Sequence, residues 1–394
     1  MFYYVILILL IILSFRYDIN GKTKYRNEWY MAVLAVFILV AGLRYRLGED
    51  TINYLYTFYH SIPYLQHINI DMFLSSGSPP LWILLNSTIK TLGGKFYMVQ
   101  LAQATIVNTL ILTYFKKHSP YPFACAALFF FWRYQWYSMV VMKAAIALSI
   151  VLFANDYFLE KKYAKGFLLI LIATGFHQSS LLLVITPFLT FLKCNKIGVI
   201  ALVFTYFFGM FLQSRLGDVF EMMEFAEGVS NKLDNYMDSR FMTQNHNLNF
   251  FIIKIFPIII YPLLSLIYIK KKCKDSHTLK LEPFLMVGLL FQMMQFSIHV
   301  FYRFVFIYII YYNIFIVHFF IEYSKNSLRF EKSLAYARTF AIVFPFLFSL
   351  AYLYPMTHVN FNPYSSVIEK SVSKEREHYF AGFVDLYYFK KDEY

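Results

Sequence analysis

Apolar stretches of about 20 residues recur along this chain with scarcely a charge inside them, and a helix of that length crosses the hydrocarbon of a bilayer. The first is the opening run MFYYVILILLIILSF, and others lie at about 29–43, 96–115, 122–138, 142–159, 197–213, 249–269, 283–299, 304–322 and 336–354. One soluble core could not hide so much apolar surface. Composition agrees: 59% of the 394 residues are hydrophobic and 15% are charged, against about 25% charged in a typical globular protein. Lipid offers no hydrogen bonds to an open backbone, so each segment must satisfy its own as a helix. The expected fold class is all-α, a polytopic helical membrane protein with about ten spans, read as a single transmembrane domain over 1–394. The opening run has no basic n-region and no small-residue cleavage site, and it reads as a retained helix and not as a signal peptide.

The net charge of +13 does not indicate a nucleic-acid partner, because the cations sit in short clusters between apolar runs. Six clusters hold 18 of the 36 Lys and Arg: Arg16/Lys22/Lys24/Arg26, Lys116/Lys117, Lys161/Lys162/Lys165, Lys193/Lys196, Lys270/Lys271/Lys272/Lys274 and Lys325/Arg329/Lys332. All six share the cytoplasmic side only if 166–192 enters and leaves by one face. That stretch is therefore expected to be a re-entrant hairpin of two short helices with its tip at Thr174–Ser180; the alternative is one long tilted helix. The run 79–92 is short and polar for a span and is placed as a re-entrant or interfacial helix. With these choices the N-terminus, an interfacial segment at 44–95, a loop at 214–248 and the tail from 355 lie outside. The outer loop carries six carboxylates against three cations, which fits that direction, and its Glu221/Glu224/Glu227 series reads as the solvated face of a lid rather than as a metal site. Cys125, Cys194 and Cys273 show no disulfide or zinc spacing, and no metal or other cofactor is expected.

The most informative residues are Gly42-Leu43-Arg44-Tyr45-Arg46-Leu47-Gly48-Glu49-Asp50, where two arginines and two carboxylates meet at the outer end of a span. Headgroup anchoring explains many arginines at helix ends, but the positive-inside rule disfavours them on this side, which points to anion binding. Gly48 permits a sharp turn that would bring Asp50 back toward Arg44. The stretch LRYRLGEDTINY resembles the loop of the EpsG family, Wzy-like polymerases of bacterial surface polysaccharides, at Arg44, Tyr45, Gly48, Asp50 and Tyr54. Further matches follow in the family's order: Met142-Lys143-Ala144-Ala145-Ile146-Ala147, then Glu160-Lys161-Lys162, then Gly175-Phe176-His177-Gln178-Ser179-Ser180, then Tyr302-Arg303-Phe304, then Asn362-Pro363-Tyr364. Lys143 departs from the family, which usually shows Arg there.

The resemblance implies a GT-C-like membrane glycosyltransferase that joins oligosaccharide units carried on undecaprenyl diphosphate at the periplasmic face of the bacterial inner membrane. A leaving diphosphate gains negative charge, and Arg44, Arg46, Lys143 and Arg303 are the cations that topology puts outside. The acceptor hydroxyl must lose a proton, for which His177, Asp50 and Glu49 are the candidates, and Tyr54 and Tyr302 could stack on sugar rings. Expected partners are the lipid-linked oligosaccharide, the bilayer and a chain-length regulator protein. A ligase using the same carrier and a polysaccharide flippase are the alternatives, although no internal repeat of the transporter kind is evident. His299 and His318 read as packing or interhelical hydrogen-bonding residues. No DxD, P-loop or GxGxxG pattern is present, so nucleotide sugars and ATP are not expected substrates.

Overall fold

The structure is a computed structural model that describes residues 2–69, 79–223, 251–274, 276–298, 301–328, 339, 343–347 and 358–381; the side chains of 214–223, 251–254, 302–303, 327–328 and 378–381 are outside the description. Among the described residues all regular structure is helical, apart from one isolated β-bridge between Arg44 and Ser366. The chain divides into two compact units, Met1–Val184 with Ala351–Tyr394 and Ile185–Leu350.

The first unit contains helices α1 Phe2–Ser14, α2 Arg26–Gly42, α3 Glu49–His60, α4 Pro80–Thr91, α5 Phe96–His118, α6 Pro122–Trp132, α7 Met142–Leu159 and α8 Tyr163–Phe176. Helices α2 and α5 pack antiparallel. Near one end Gly42 lies so close to Leu101 that a methyl group on it would come within 2.9 Å of the Leu101 Cα, and near the other Tyr30 donates to the Leu112 carbonyl at 2.8 Å. Helix α6 returns beside α2 along a run of rings: Tyr30 and Phe123 at 5.1 Å, Phe37 and Phe130 at 5.3 Å. Such aromatic pairs add to the area they bury. Helix α8 approaches α7 at Gly166, which leaves room for the Phe158 ring.

Polarity sorts the two ends of this unit. Asp156 near the end of α7 receives Lys117 at 2.7 Å, His118 at 2.9 Å and the Tyr114 hydroxyl at 3.2 Å, and Lys116 reaches Asn27 at 3.1 Å. Three of the basic clusters thus gather at one end, while α2, 17 residues or about 26 Å long, carries Arg44 to the other.

The second unit contains the α-helices α9 Lys196–Met223, α10 Tyr261–Lys272, α11 Glu282–Ser297 and α12 Tyr302–Leu328. Helix α11 seats Gly288 against Tyr308 of α12, and the Tyr308 hydroxyl meets Thr186 at 3.1 Å. Glu282 joins Lys270 at 2.8 Å and the Cys194 amide at 2.7 Å. His318 lies 3.1 Å from the Thr278 hydroxyl, a hydrogen-bonding place within the packed unit; His299 is outside the described residues.

Among the described residues five helices are long and apolar enough to cross a membrane: Phe2–Ile19, Phe96–His118, Met142–Leu159, Lys196–Gln213 and Phe304–Asn326. Several of the ten expected spans are shorter or broken. Glu282–Ser297 has 16 residues; 122–138 divides at Arg133 into α6 and a π-type turn, Trp136–Val140; 249–269 changes from π-type to α-helix before Pro262. The span at 336–354 falls largely outside the described residues, and 224–248 of the loop read as a lid lies wholly outside them. Helix α9 carries residues 214–223 of that loop as helix. At 166–192 the α-helix stops at Phe176, because His177 is extended at φ −153°, ψ 111°, and a 3-10 helix follows from Gln178 to Leu189.

Candidate active site at the arginine loop

After α2 the chain leaves the helix at Leu43 and runs extended through Arg44 and Tyr45 against the C-terminal segment. The Tyr45 amide donates to the Ser365 carbonyl and the Val367 amide to the Leu43 carbonyl, each at 2.9 Å. Arg46 at φ +48° and Gly48 at φ +91° then turn the backbone into α3, whose first turn presents Glu49 and Asp50. Carboxylates suit that place because the free amides of a first turn carry partial positive charge.

Arg44 is wholly buried and donates to the carbonyls of Ala41 and Met139, the latter at 2.8 Å. The Thr51 hydroxyl reaches the same Met139 oxygen at 3.2 Å. This single carbonyl therefore fastens the arginine loop to Trp136–Val140, the turn that leads into Met142 and Lys143. Lys143 places its ammonium 5.5 Å from the centre of the Tyr54 ring, and Tyr54 meets Trp82 of α4 edge-on at 5.5 Å. Arg46 is also buried, with its guanidinium 5.6 Å from the Tyr45 ring. Glu49, Asp50, Tyr54, Lys143 and His177 are partly exposed.

The C-terminal segment closes the cluster. Wholly buried Asn360 donates its side-chain amide to Glu49 Oε1 at 2.6 Å, and its carbonyl accepts the Gly48 amide at 3.3 Å. Arg376, also wholly buried, holds the turn ahead of Tyr364 by donating to the carbonyls of Val359, at 3.0 Å, and Pro363. Tyr364 donates to the Val40 carbonyl at 3.1 Å and stacks on Phe2 at 4.3 Å. Burial pushes its phenol up to about 12, so it remains a neutral donor.

The structure thus gathers Arg44, Arg46, Glu49, Asp50, Tyr54 and Lys143 at one end of the first unit. His177 follows through α4: Trp82 touches Tyr54, and the neighbouring Leu81 packs so tightly on Gly175 that a methyl group there would lie 2.6 Å from its Cγ. Tyr302 and Arg303 open α12 in the second unit, and their side chains are outside the description. Sequence reading missed Asn360, Arg376, Trp82 and the Met139 carbonyl. A charged residue 12 positions beyond Tyr364 was a faint signal for Arg376; a backbone acceptor leaves no signal at all.

Apolar helices long enough to span a bilayer, with charged residues gathered where one of them ends, define a membrane-embedded helical protein whose polar chemistry lies at a helix terminus. The profile of the EpsG family matches residues 27–366, and the chain belongs to that family of Wzy-like polymerases and glycosyltransferases. The match runs through to Ser366, the residue that bridges Arg44. No curated protein and no solved structure matches the chain significantly.

Proposed function

We propose that this protein joins oligosaccharide repeat units carried on undecaprenyl diphosphate into a surface polysaccharide, at the periplasmic face of the bacterial inner membrane. The observation that carries the reading is the gathering of Lys143, Glu49 and Asp50 around the arginine loop, at the end of the first unit away from Arg26, Lys116 and Lys117. If the basic end is cytoplasmic by the positive-inside rule, the arginine loop faces outside.

In the proposed reaction the acceptor hydroxyl attacks the anomeric carbon while the bond to the lipid diphosphate breaks. The hydroxyl proton passes to Glu49, Asp50 or His177, and the diphosphate leaves against Lys143 and Arg46. These cations supply the charge stabilisation, so the chemistry needs no metal. Arg44, tied to two carbonyls, holds the loop that presents the others, and Tyr54 offers a face for a sugar ring. Asn360 hydrogen-bonds one Glu49 oxygen and so directs the other.

The test is polymer length in cells, read beside membrane abundance, for Lys143→Ala and Glu49→Gln. Loss of long chains at normal abundance supports the reading. Long chains of normal distribution in both variants place the chemistry elsewhere, and accumulation of full-length, carrier-bound polymer that is never transferred would favour a ligase.

A further inference from the structure

The end of the first unit away from the arginine loop has a cavity of its own. It measures about 240 Å³ and is lined by Arg26, Asn27, Tyr30, Lys116, Ser119 and Phe123, among others. Its position follows from the fold: α2 begins here, α5 ends here, and Pro122 starts α6 across the opening.

Charge in this cavity is not balanced. Lys116 donates to the Asn27 side-chain oxygen at 3.1 Å and lies 5.9 Å from the Tyr30 ring, and among the described residues it makes no ion pair. Arg26 meets Asp18 only at 3.4 Å, its side chain stays 39% exposed, and the other Asp18 oxygen accepts the Ala124 amide at 2.8 Å. Two cations, an amide and a hydroxyl thus line a cavity together with Phe123, Pro120 and Pro122. That combination suits a compact anion attached to an apolar body, and basic pockets between membrane helices on the cytoplasmic side are known to take phospholipid headgroups.

We propose that this cavity binds a phosphate group, presented by the headgroup of an anionic phospholipid or as the free ion. The guanidinium and ammonium contact its oxygens, Ser119 adds a hydroxyl, and Phe123 packs beneath the glycerol of a lipid. The assignment is independent of the glycosyl-transfer reading, which concerns the opposite end of the unit.

Native mass spectrometry of the full-length protein in detergent, offered dioleoylphosphatidylglycerol or dioleoylphosphatidylcholine, tests it. Wild type should retain the anionic lipid about tenfold better. Lys116→Gln should remove that margin, Arg26→Gln should reduce it, and Lys116→Arg should keep it. Lys165→Gln, an exposed cation outside the cavity, should leave it unchanged. Thermal unfolding of each variant confirms that the fold is kept, and Arg26→Gln carries the test if Lys116→Gln does not fold. Radiolabelled inorganic phosphate separates the sources. Binding that depends on Lys116 and displaces the lipid assigns the site to the free ion; retention of the lipid alone assigns it to the headgroup. Equal retention of both lipids without phosphate binding overturns the proposal, as does retention of the anionic lipid that is indifferent to the folded variants.

Discussion

At Gly48 two constraints coincide, since its φ of +91° is costly for any residue with a Cβ and that Cβ would meet Val140 at 3.1 Å and the Met139 carbonyl at 3.2 Å. Gly48→Ala should therefore cost about 1–3 kcal/mol and push the arginine loop off the Met139 carbonyl. Thermal unfolding in detergent and polymer length should fall together; a variant with unchanged melting and normal polymer would show that the loop tolerates displacement. Lys143 makes a contrasting case. Its ammonium lies over Tyr54 on a partly exposed position, so Lys143→Ala should lose activity by about 10²-fold or more, the scale of one charge-stabilising donor, with little loss of stability. Lys143→Arg should restore much of it, although a planar fork reaches different oxygens than a point charge does. The alternative is that Lys143 is structural, and then the alanine variant would fall in abundance while keeping activity per molecule. Gly48, Lys143 and the carboxylates stand out in the sequence because each is an unusual residue type for its place. Arg44 stands out for the same reason, and its hydrogen bonds to two main-chain carbonyls are contacts that no sequence pattern announces.

Among the elements, α3 depends on its neighbour. Its apolar positions Ile52, Leu55 and Phe58 are buried, and its last turn is capped by Lys90 of α4, whose ammonium lies 3.0 Å from the Phe58 oxygen and 3.1 Å from that of Tyr59, and 2.7 Å from that of Ile62 just beyond the helix. A cation at a helix C-terminus complements the partial negative charge there. Helix α4 ends in turn at Gly93, where φ +75° allows the Gly94 amide to return to the Ile89 carbonyl at 2.8 Å. Lys90→Met keeps the aliphatic stem and removes the charge, and it should destabilise the protein by about 1–2 kcal/mol in thermal unfolding. Lys90→Arg should recover part of this; an unchanged melting profile in the methionine variant would mean that water caps α3 equally well. The bounds of α7 coincide with the expected 142–159, where one apolar run lies between Lys143 and the Glu160-Lys161-Lys162 turn. The break expected within Thr174–Ser180 occurs at His177, two residues after Gly175, where small and polar residues weaken the helix. The three-residue spacing that begins at Glu221 predicts a helical face within the segment read as a loop, and residues 214–223 continue α9 as helix.

For the whole molecule, charge distribution is the quantity that sequence and structure share. In the first unit the fold gathers Arg26, Lys116, Lys117 and the start of the Glu160–Lys165 turn at one end, so clusters far apart in sequence act as one positive surface. The division into two units was not legible, because both are built from the same apolar helices and only their contacts separate them. The proposed orientation makes a definite forecast for impermeant thiol reagents applied to cells. The native thiols must first be replaced: Cys125 is buried, and Cys194 and Cys273 are partly exposed, with burial holding both above the usual thiol range and slowing their reaction. On that background Asn53→Cys, exposed on α3, should label from outside, whereas Lys165→Cys, Lys196→Cys and Lys271→Cys, all exposed, should label only after the membrane is opened. Lys165 and Lys196 are the decisive pair, since they flank the break at His177. Protection of both means that the chain between them returns to the face it left, as a hairpin does. Labelling of position 196 from outside, with 165 still protected, means that the stretch crosses the bilayer instead, and the hairpin reading of His177 falls.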